Sequence, residues 1–396
     1  MRNLELPPST RVAVARLDSR SRCQHFGSRR IVRQALLDQN SKFPRDYTES
    51  GGVNLTTLSI TDSDTDSADG SLPSRIDPGS FVHITDPNQP SEWVQDVLPV
   101  PRAVYQSFPH VRARRTGQPV VILPGFGNNT GDYEAPFGDP NTSLCASLRK
   151  RGFEPTTLEV ERKDWFQVAK GLLSPGYWRG QAQVGPGYGW YLDRIDDAIE
   201  RALTKANVDG NHDQVILVSH SAGGWLARAY LGRGTDPEKE HGGNRRHAVR
   251  ALVTLGSPQR NTYEDSKGID RTGGLITSID TTFPGAYFSP EITYVCVGGR
   301  AVRGRRDEEK PRTLQRYAYN GYFEVVGEGL GVEGDSVVPC RCAFLPGARN
   351  VLLDGIFHSM SRPGTFDEGT DNFWYGSDEV LDAWLPWLGD SHVQVT

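Results

Sequence analysis

Short apolar runs alternate with helical patterns from about residue 117 to residue 390. Mostly apolar runs of strand length predict strands at 120–123, 155–160, 215–218, 251–255, 292–297 and 350–353. Segments 144–150, 193–206 and 222–231 fit the helices between them, and 193–206 places its apolar residues on one helical face. Strands without a polar face are typical of a parallel sheet that helices cover on both sides. The pattern therefore predicts one α/β domain over residues 117–390.

Three segments between the predicted elements are long, and we expect loops there. Residues 161–191 are rich in Trp, Tyr, Gly and Pro, residues 233–247 are highly charged, and residues 259–290 are candidates for a lid or a substrate wall. Long loops in a compact domain are often functional, although insertions without a role also occur.

The first 80 residues predict a disordered leader or linker, because residues 40–75 are polar and poor in large apolar side chains. Residues 1–34 carry eight arginines, only two acidic residues and no apolar core of a secretory signal. This composition is typical of an organellar transit peptide, which would direct the protein to a plastid. A disordered basic tail on a cytoplasmic protein fits the same residues.

Composition narrows the function classes. A formal net charge of -5 argues against a nucleic-acid partner, since phosphate binding needs a basic surface. No apolar run approaches the roughly 20 residues that span a bilayer. The five cysteines are too few and too irregular for a disulfide framework, which favours a reducing compartment. The pair Cys340 and Cys342 has no second pair of metal ligands, and alternating positions in a strand explain it more simply.

The stretch VILVSHSAGG at 215–224 carries the main candidate for chemistry. In a nucleophile elbow, a serine sits in a tight turn between a strand and a helix, and its neighbours two residues before and after must be small. Ser221 fits this position, with Gly223 after it and Ser219 where glycine is usual. The helix that follows would supply partial positive charge at its amino terminus. The alternative is an ordinary strand, turn and helix.

The base and the acid must come from later in the chain, in the order serine, acid, histidine. His358 follows the last predicted strand and is the preferred base. His220 is adjacent to Ser221, but an elbow would point its side chain away from the nucleophile. Asp335 follows a glycine and precedes a short apolar run, which suits a carboxylate held in a fixed turn. Asp354, at the end of the last strand, is the alternative acid.

Two backbone N–H groups are needed to stabilise an oxyanion. Ala222, directly after the nucleophile, would supply one. The loop LPGFGNN after the first core strand would supply the other, from Phe126 or, as second choice, Gly127. The same loop lacks the lysine and the glycine spacing of a phosphate-binding loop.

Together LPGFGNN, SHSAGG, TLGSP, GDSVVP and the late FHS resemble the α/β-hydrolase superfamily. The resemblance covers residues 117–390 and is greatest to the lipase-like branch, which includes GPI inositol-deacylase-like proteins and plastid and cyanobacterial relatives. It implies a mostly parallel central sheet with helices on both faces. It also implies a serine carboxylic ester hydrolase that forms an acyl-enzyme without a metal or organic cofactor. The residues it assigns are the triad Ser221, Asp335 and His358 and the oxyanion donors Phe126 and Ala222.

The same triad could serve a thioesterase, an amidase or an acyltransferase, because the pocket selects the leaving group. A hydrolase fold that acts only as a receptor or scaffold is a further alternative. Aromatic residues in 164–191 could line an acyl pocket, contact a lipid surface or pack in the core. A lipid-type ester substrate and a peripheral membrane contact are therefore expectations. The sequence leaves the oligomeric state open.

Overall fold

An eight-stranded sheet runs through the part of the chain that the computed structural model describes. The described residues are 82–84, 97, 99–206, 212–233, 244–260, 270, 272–306, 313–360 and 373–395, and the predicted leader over residues 1–80 lies outside them. In chain order the strands are β1 (Val82–Ile84), β2 (Pro99–Val100), β3 (Val111–Ala113), β4 (Gln118–Leu123), β5 (Phe153–Thr157), β6 (Val215–His220), β7 (Val249–Leu255), β8 (Thr293–Arg300), β9 (Val302–Arg303), β10 (Glu333–Gly334), β11 (Arg349–Asp354), β12 (Ile356–Phe357), β13 (Phe373–Trp374) and β14 (Val393–Val395).

Helices connect and cover these strands. In chain order the α-helices in the described ranges are α1 (Gly131–Glu134), α2 (Leu144–Lys150), α3 (Ala169–Leu172), α4 (Pro175–Trp178), α5 (Val184–Ala206), α6 (Ala222–Gly232), α7 (Leu275–Thr282), α8 (Leu314–Val326) and α9 (Asp378–Trp384). Short 3-10 helices lie at Arg102–Ser107, Pro136–Gly138, Pro140–Thr142, Arg162–Val168, Arg246–Ala248, Cys340–Ala343 and Leu385–Leu388.

The central sheet has the strand order β1-β11-β8-β7-β6-β4-β5, and β2 pairs with the end of β11. Only β1 runs antiparallel to its neighbour, and the other pairings of this sheet are parallel. Strands β1 and β2 precede residue 117, and β3 forms an antiparallel pair with β14. The described structure therefore includes strands on both sides of the predicted range 117–390.

Alternate residues of the central strands enter two separate cores. Leu217 and Leu252 pack with residues of α5, α6 and α7 on one face of the sheet. Ile216 and Val253 pack with residues of α2 and α9 on the other face. Because both faces are buried, these strands read as continuous apolar runs in the sequence. A mostly parallel sheet covered in this way, with a serine turn after a central strand, is the α/β-hydrolase fold.

Most predicted elements are confirmed with ends that differ by at most three residues, whereas the helix predicted over 193–206 is α5 and begins at Val184. The helix over 144–150 is α2, and the strand over 120–123 begins earlier, at Gln118. The strand predicted at 155–160 is β5, Phe153–Thr157, and its first residue, Phe153, pairs with Gln118 of β4.

The prediction of a long loop over 161–191 is wrong, because α3, α4, a 3-10 helix and the start of α5 occupy most of it. Glycine does not prevent helix formation here, because Gly171 lies in α3 and Gly187 in α5, and the two helices contact each other. Pro186 lies in the first turn of α5, where a backbone N–H has no partner within the helix. Composition alone could not separate this packing from a loop.

Other long segments are only partly described. Helix α7 occupies part of the segment 259–290, whose residues 261–269 and 271 lie outside the described ranges. Residues 234–243 of the charged segment also lie outside them. The prediction that Cys340 and Cys342 alternate in a strand is wrong, because both lie in the 3-10 helix that begins after Pro339. Both thiols are buried, and burial raises the pKa of Cys340 to about 11.

A buried arginine joins α2 to α9. The side chain of Arg151 is 3% exposed, and its Nη2 lies 2.8 Å from Oδ2 of Asp382. Its Nη1 also donates to Asp378. The neighbouring Lys150 contacts the same Asp378 at 3.0 Å, but its side chain is 55% exposed.

We expect Arg151→Ala to lower the free energy of unfolding by roughly 3–5 kcal/mol, because the half-enclosed carboxylates lose their buried cation. The control Lys150→Ala removes an exposed partner and should cost less than about 1 kcal/mol. Urea denaturation followed by circular dichroism measures both. Equal losses for the two variants would contradict a central role for the buried pair.

Candidate active site

Ser221 alone forms the turn between β6, which ends at His220, and α6, which begins at Ala222. Its backbone has φ 51° and ψ -125°, a conformation that non-glycine residues rarely adopt. The turn is fixed because the N–H of Ser221 donates to the carbonyl of Leu255 at 2.9 Å and its carbonyl accepts from Gly224 at 3.0 Å. The strained turn projects the serine side chain out of the end of the sheet.

Small residues surround this turn for steric reasons. A Cβ on Gly223 would lie 2.6 Å from the carbonyl oxygen of Leu123, and a Cβ on Gly125 would lie 2.7 Å from Cβ of Ser221. Ser219 is fully buried two residues before the turn, and its Oγ donates to the carbonyl of Val253 at 2.8 Å. Serine is therefore accommodated there because its hydroxyl has an acceptor on the adjacent strand.

The structure brings the three predicted triad residues together. Nε2 of His358 lies 2.9 Å from Oγ of Ser221, and Nδ1 of His358 lies 2.8 Å from Oδ2 of Asp335. The carboxylate can only accept, so Nδ1 carries the proton and Nε2 is available to accept one from the serine. Asp335 follows β10 and His358 follows β12, and both side chains are buried.

Asp335 is held by four hydrogen bonds. Its Oδ1 accepts from the backbone of Val337 and Val338 at 3.0 and 2.7 Å, and its Oδ2 accepts from His358 and from the hydroxyl of Tyr375 at 2.8 Å each. The pKa of Tyr375 is raised well above its usual value, mainly by burial and secondarily by the nearby charge of Asp335. The tyrosine therefore remains a donor. Sequence reasoning missed Tyr375, because no local pattern marks a residue 40 positions away along the chain.

The alternative acid, Asp354, faces a different partner. Its two carboxylate oxygens contact Nε and Nη2 of Arg300 at 2.6 and 3.0 Å. This bidentate ion pair leaves the contact with His358 to Asp335.

The two predicted oxyanion donors lie on the two segments that meet at Ser221. Ala222 is the first residue of α6, so its N–H has no acceptor within the helix. Phe126 follows Gly125 in the loop after β4, and its ring centroid lies 5.1 Å from that of Trp165. The loop is further held because Nε1 of Trp165 donates to the carbonyl of Asn128 at 2.7 Å.

His220 points away from the nucleophile, as expected for an elbow. Its Nδ1 lies 2.7 Å from the hydroxyl of Tyr133, and its Nε2 lies 2.6 Å from the backbone carbonyl of His358. The pKa of His220 is lowered well below its usual value, mainly by burial and secondarily by the nearby His358. His220 is therefore a neutral neighbour of the candidate base. Its contact with Tyr133 could not be predicted from the sequence, because the two residues lie 87 positions apart.

The aromatic segment divides between core and surface. Trp165, Tyr188 and Tyr191 are buried, whereas Phe166 and Trp178 are 60% and 54% exposed. A cleft of about 550 Å³ lies beside this segment, but its lining is mainly charged and includes Glu159, Asp164 and Arg194 rather than the triad. This cleft is therefore not the site of the candidate chemistry.

Among the residues that the structure describes, His, Cys, Asp and Glu side chains form no group of three or more that could hold a metal ion. None of the helices in the described ranges combines the length and the apolar character that crossing a membrane requires.

Comparison with known proteins finds distant structural likenesses. No family model matches the sequence, and a search of curated proteins also finds no match. The metagenomic carboxyl esterase MGS0156 is 13% identical, with 70% of this chain and 77% of that chain covered and a TM-score of 0.38. The lin2722 product of Listeria innocua is 12% identical over 60% and 83% of the chains, with a TM-score of 0.30. Aspergillus fumigatus lipase B is 14% identical over 50% and 42%, with a TM-score of 0.27. These likenesses are too distant to say what this chain does.

Two helical glycines provide a test of the packing around Ser221. We expect Gly223→Ala to lower the free energy of unfolding by about 1–3 kcal/mol, because its Cβ would press on a backbone carbonyl that cannot swing aside. The control Gly189→Ala lies in α5, where an added Cβ meets no atom within 4 Å. It should raise the free energy of unfolding by about 0.5–1 kcal/mol. Chemical denaturation compares the two, and a harmless Gly223→Ala would contradict the tight contact.

Proposed function

We propose that this chain hydrolyses carboxylic esters through an acyl-enzyme formed on Ser221. The observation that carries the proposal is the continuous line of hydrogen bonds from Asp335 through His358 to Ser221, which ends at a strained turn. Strain at such a position is maintained only when the surroundings enforce it, and it is often associated with function.

In the proposed reaction His358 accepts the proton of Ser221 at Nε2 while the serine oxygen attacks the ester carbonyl. Asp335 orients the imidazole and stabilises its positive form. The backbone N–H groups of Phe126 and Ala222 stabilise the oxyanion. The alcohol leaves with the proton from His358, and water then repeats the sequence to release the acid. Nucleophile, base and donors all come from the chain, so the reaction requires no metal or organic cofactor.

We extend the proposal to a lipid-type ester that is reached at a lipid surface. The 3-10 helix Arg162–Val168 continues into α3. Lys163, Phe166, Lys170 and Leu173 follow one another along it at helical spacing, and all four are exposed. Trp178 lies against the end of this helix, because its Nε1 donates to the carbonyl of Leu172 at 2.8 Å. We call Phe166, Leu173 and Trp178 the apolar ridge.

Phe166 and Leu173 of the apolar ridge lie along the helical segment that supports the loop after β4, residues 124–130, which we call the oxyanion loop. Trp165, next to Phe166, is buried and contacts Phe126. Insertion of the ridge into a lipid surface would therefore bring the loop and Ser221 close to the ester groups of that surface. The sequence resemblance to lipase-like hydrolases, including GPI inositol-deacylase-like and plastid relatives, supports the same substrate class. A plastid location rests on residues 1–34, which lie outside the described residues.

Covalent labelling tests the nucleophile. A fluorophosphonate probe should label the wild-type protein and leave Ser221→Ala unlabelled. Asp335→Asn should lower kcat for p-nitrophenyl ester hydrolysis by about 10⁴-fold, because the imidazole loses its fixed tautomer. The matched control Asp354→Asn should retain activity, since that carboxylate pairs with Arg300.

Three outcomes would argue against this proposal. Folded wild-type protein that is inert to the probe would favour a receptor or scaffold. Faster turnover of matched acyl thioesters than of esters would favour a thioesterase. Transfer of the acyl group to an added alcohol in preference to water would favour an acyltransferase.

Vesicle binding tests the lipid surface separately from catalysis. Inert Ser221→Ala protein should sediment with phosphatidylcholine vesicles that contain phosphatidylglycerol. When Phe166→Ser, Leu173→Ser and Trp178→Ser are combined with Ser221→Ala, binding to the vesicles should weaken by at least about tenfold. The reason is that three apolar side chains would no longer be buried in the lipid. The control Leu330→Ser removes another exposed apolar side chain, 63% exposed, outside the ridge. Equal weakening by the control would refute a specific role for the ridge.

A further inference from the structure

We infer that Tyr133 and His220 are positioning residues that hold the oxyanion loop and the base His358 in a fixed relation. We call this pair the Tyr133–His220 bridge. The inference rests on the proposed function, because it assigns the bridge a task in the same acyl-transfer site. It adds two residues that touch neither the nucleophile's hydroxyl nor the substrate carbonyl in the proposed reaction.

The bridge begins at the oxyanion loop. The hydroxyl of Tyr133 accepts from the backbone N–H of Gly125 at 3.0 Å and from Nδ2 of Asn128 at 3.0 Å. It donates to Nδ1 of His220 at 2.7 Å. A tyrosine hydroxyl has one proton and two acceptor sites, so every position on it is used. Gly125 directly precedes Phe126, and the bridge therefore fixes the backbone that would supply one oxyanion donor.

The bridge ends at the base. Nε2 of His220 donates to the backbone carbonyl of His358 at 2.6 Å, and the backbone N–H of His358 donates to the carbonyl of Asp335 at 2.8 Å. The peptide groups on both sides of the base are thus held, one by the acid segment and the other by the bridge. Since the imidazole of His358 extends from this backbone, its distance to Ser221 depends on both contacts.

The bridge cannot readily rearrange. The carbonyl of His358 only accepts, so the proton of His220 lies on Nε2 and Nδ1 remains an acceptor for Tyr133. His220 is 2% exposed, and its ring packs edge to face with that of Trp374, with centroids 5.7 Å apart. Burial keeps the pKa of His220 well below its usual value, which preserves this neutral form. Both ring nitrogens are used, and rotating the ring would break both bonds.

The bridge joins segments from distant parts of the chain, which supports a positioning role for it. The oxyanion loop leaves β4, whereas His358 follows β12, and residues 133 and 220 link them through side chains. Acyl transfer requires the base and the oxyanion donors to be correctly placed around the same substrate carbonyl at the same time. A displacement of about 1 Å in such a constellation can lower the rate by about 100-fold.

Two conservative variants interrupt the bridge at different points. Tyr133→Phe keeps the ring but leaves Gly125, Asn128 and His220 without the shared hydroxyl. His220→Gln keeps a donor for the His358 carbonyl and alters the contact with Tyr133. The matched control Tyr230→Phe removes another buried hydroxyl that makes two hydrogen bonds, to Arg245 and Asp196, remote from the triad. Active sites are titrated with a fluorophosphonate, so that only folded, reactive molecules are counted.

We expect Tyr133→Phe to lower kcat per active site for p-nitrophenyl butyrate by roughly 100-fold with KM within about twofold of wild type. Affinity for a trifluoromethyl ketone, which mimics the tetrahedral intermediate, should fall in parallel. The double variant Tyr133→Phe with His220→Gln should lose little more than the worse single variant, because both act on one connection. Tyr230→Phe should lower Tm while leaving kcat per active site within about twofold.

The inference is overturned if both bridge variants keep kcat within about threefold of wild type and lower only Tm, as Tyr230→Phe does. Additive losses in the double variant would overturn it as well, because they would indicate two independent effects. If Tyr133→Phe does not fold, the same kcat, KM and inhibitor measurements on His220→Gln decide. Wild-type protein that neither hydrolyses the ester nor reacts with the probe would instead overturn the proposed function together with this inference.

Discussion

The backbone of Ser221 cannot relax into an ordinary turn while its neighbours remain packed as they are. Such conformations cost about 1–3 kcal/mol and persist only when the surroundings enforce them. Here the register of β6 enforces it, because Ser219 pairs with Leu123 on one side and with Thr254 on the other. The ends of three parallel strands are thus fixed relative to one another. The loop after β4 and the start of α6 come within reach of the serine as a consequence.

Buried polar groups extend this constraint across the site. A buried donor or acceptor must find a partner, so each group in a connected set restricts the next. One such set runs from Tyr375 through Asp335 to His358, and continues through the backbone of His358 to His220 and Tyr133. Ser336, with φ 90°, adds a second strained residue beside Asp335. The positions of Asp335 and His358 are therefore each held by several contacts.

Those parts of this arrangement that depend on local sequence pattern could be predicted from the sequence. An apolar strand, a small-residue turn and a helix predicted the position of Ser221, and chain order pointed to Asp335 and His358, which the structure brings together with it. Tyr133 contacts His220 from 87 residues away, and no spacing within the chain marks that contact. The prediction of a loop at 161–191 was wrong for a related reason. Glycine and proline favour loops locally, but Gly171 and Gly187 lie in α3 and α5, two helices that contact each other.

Ser219 has a consequence for how candidate nucleophile elbows are recognised in sequences. The position two residues before a nucleophile is usually described by the identity of its residue, glycine. In this chain the position is governed by volume and by a hydrogen-bond acceptor, the carbonyl of Val253, which the adjacent strand supplies. A pattern search that insists on glycine would pass over any chain with this substitution. A search that asks for a small side chain after a buried strand would retain it.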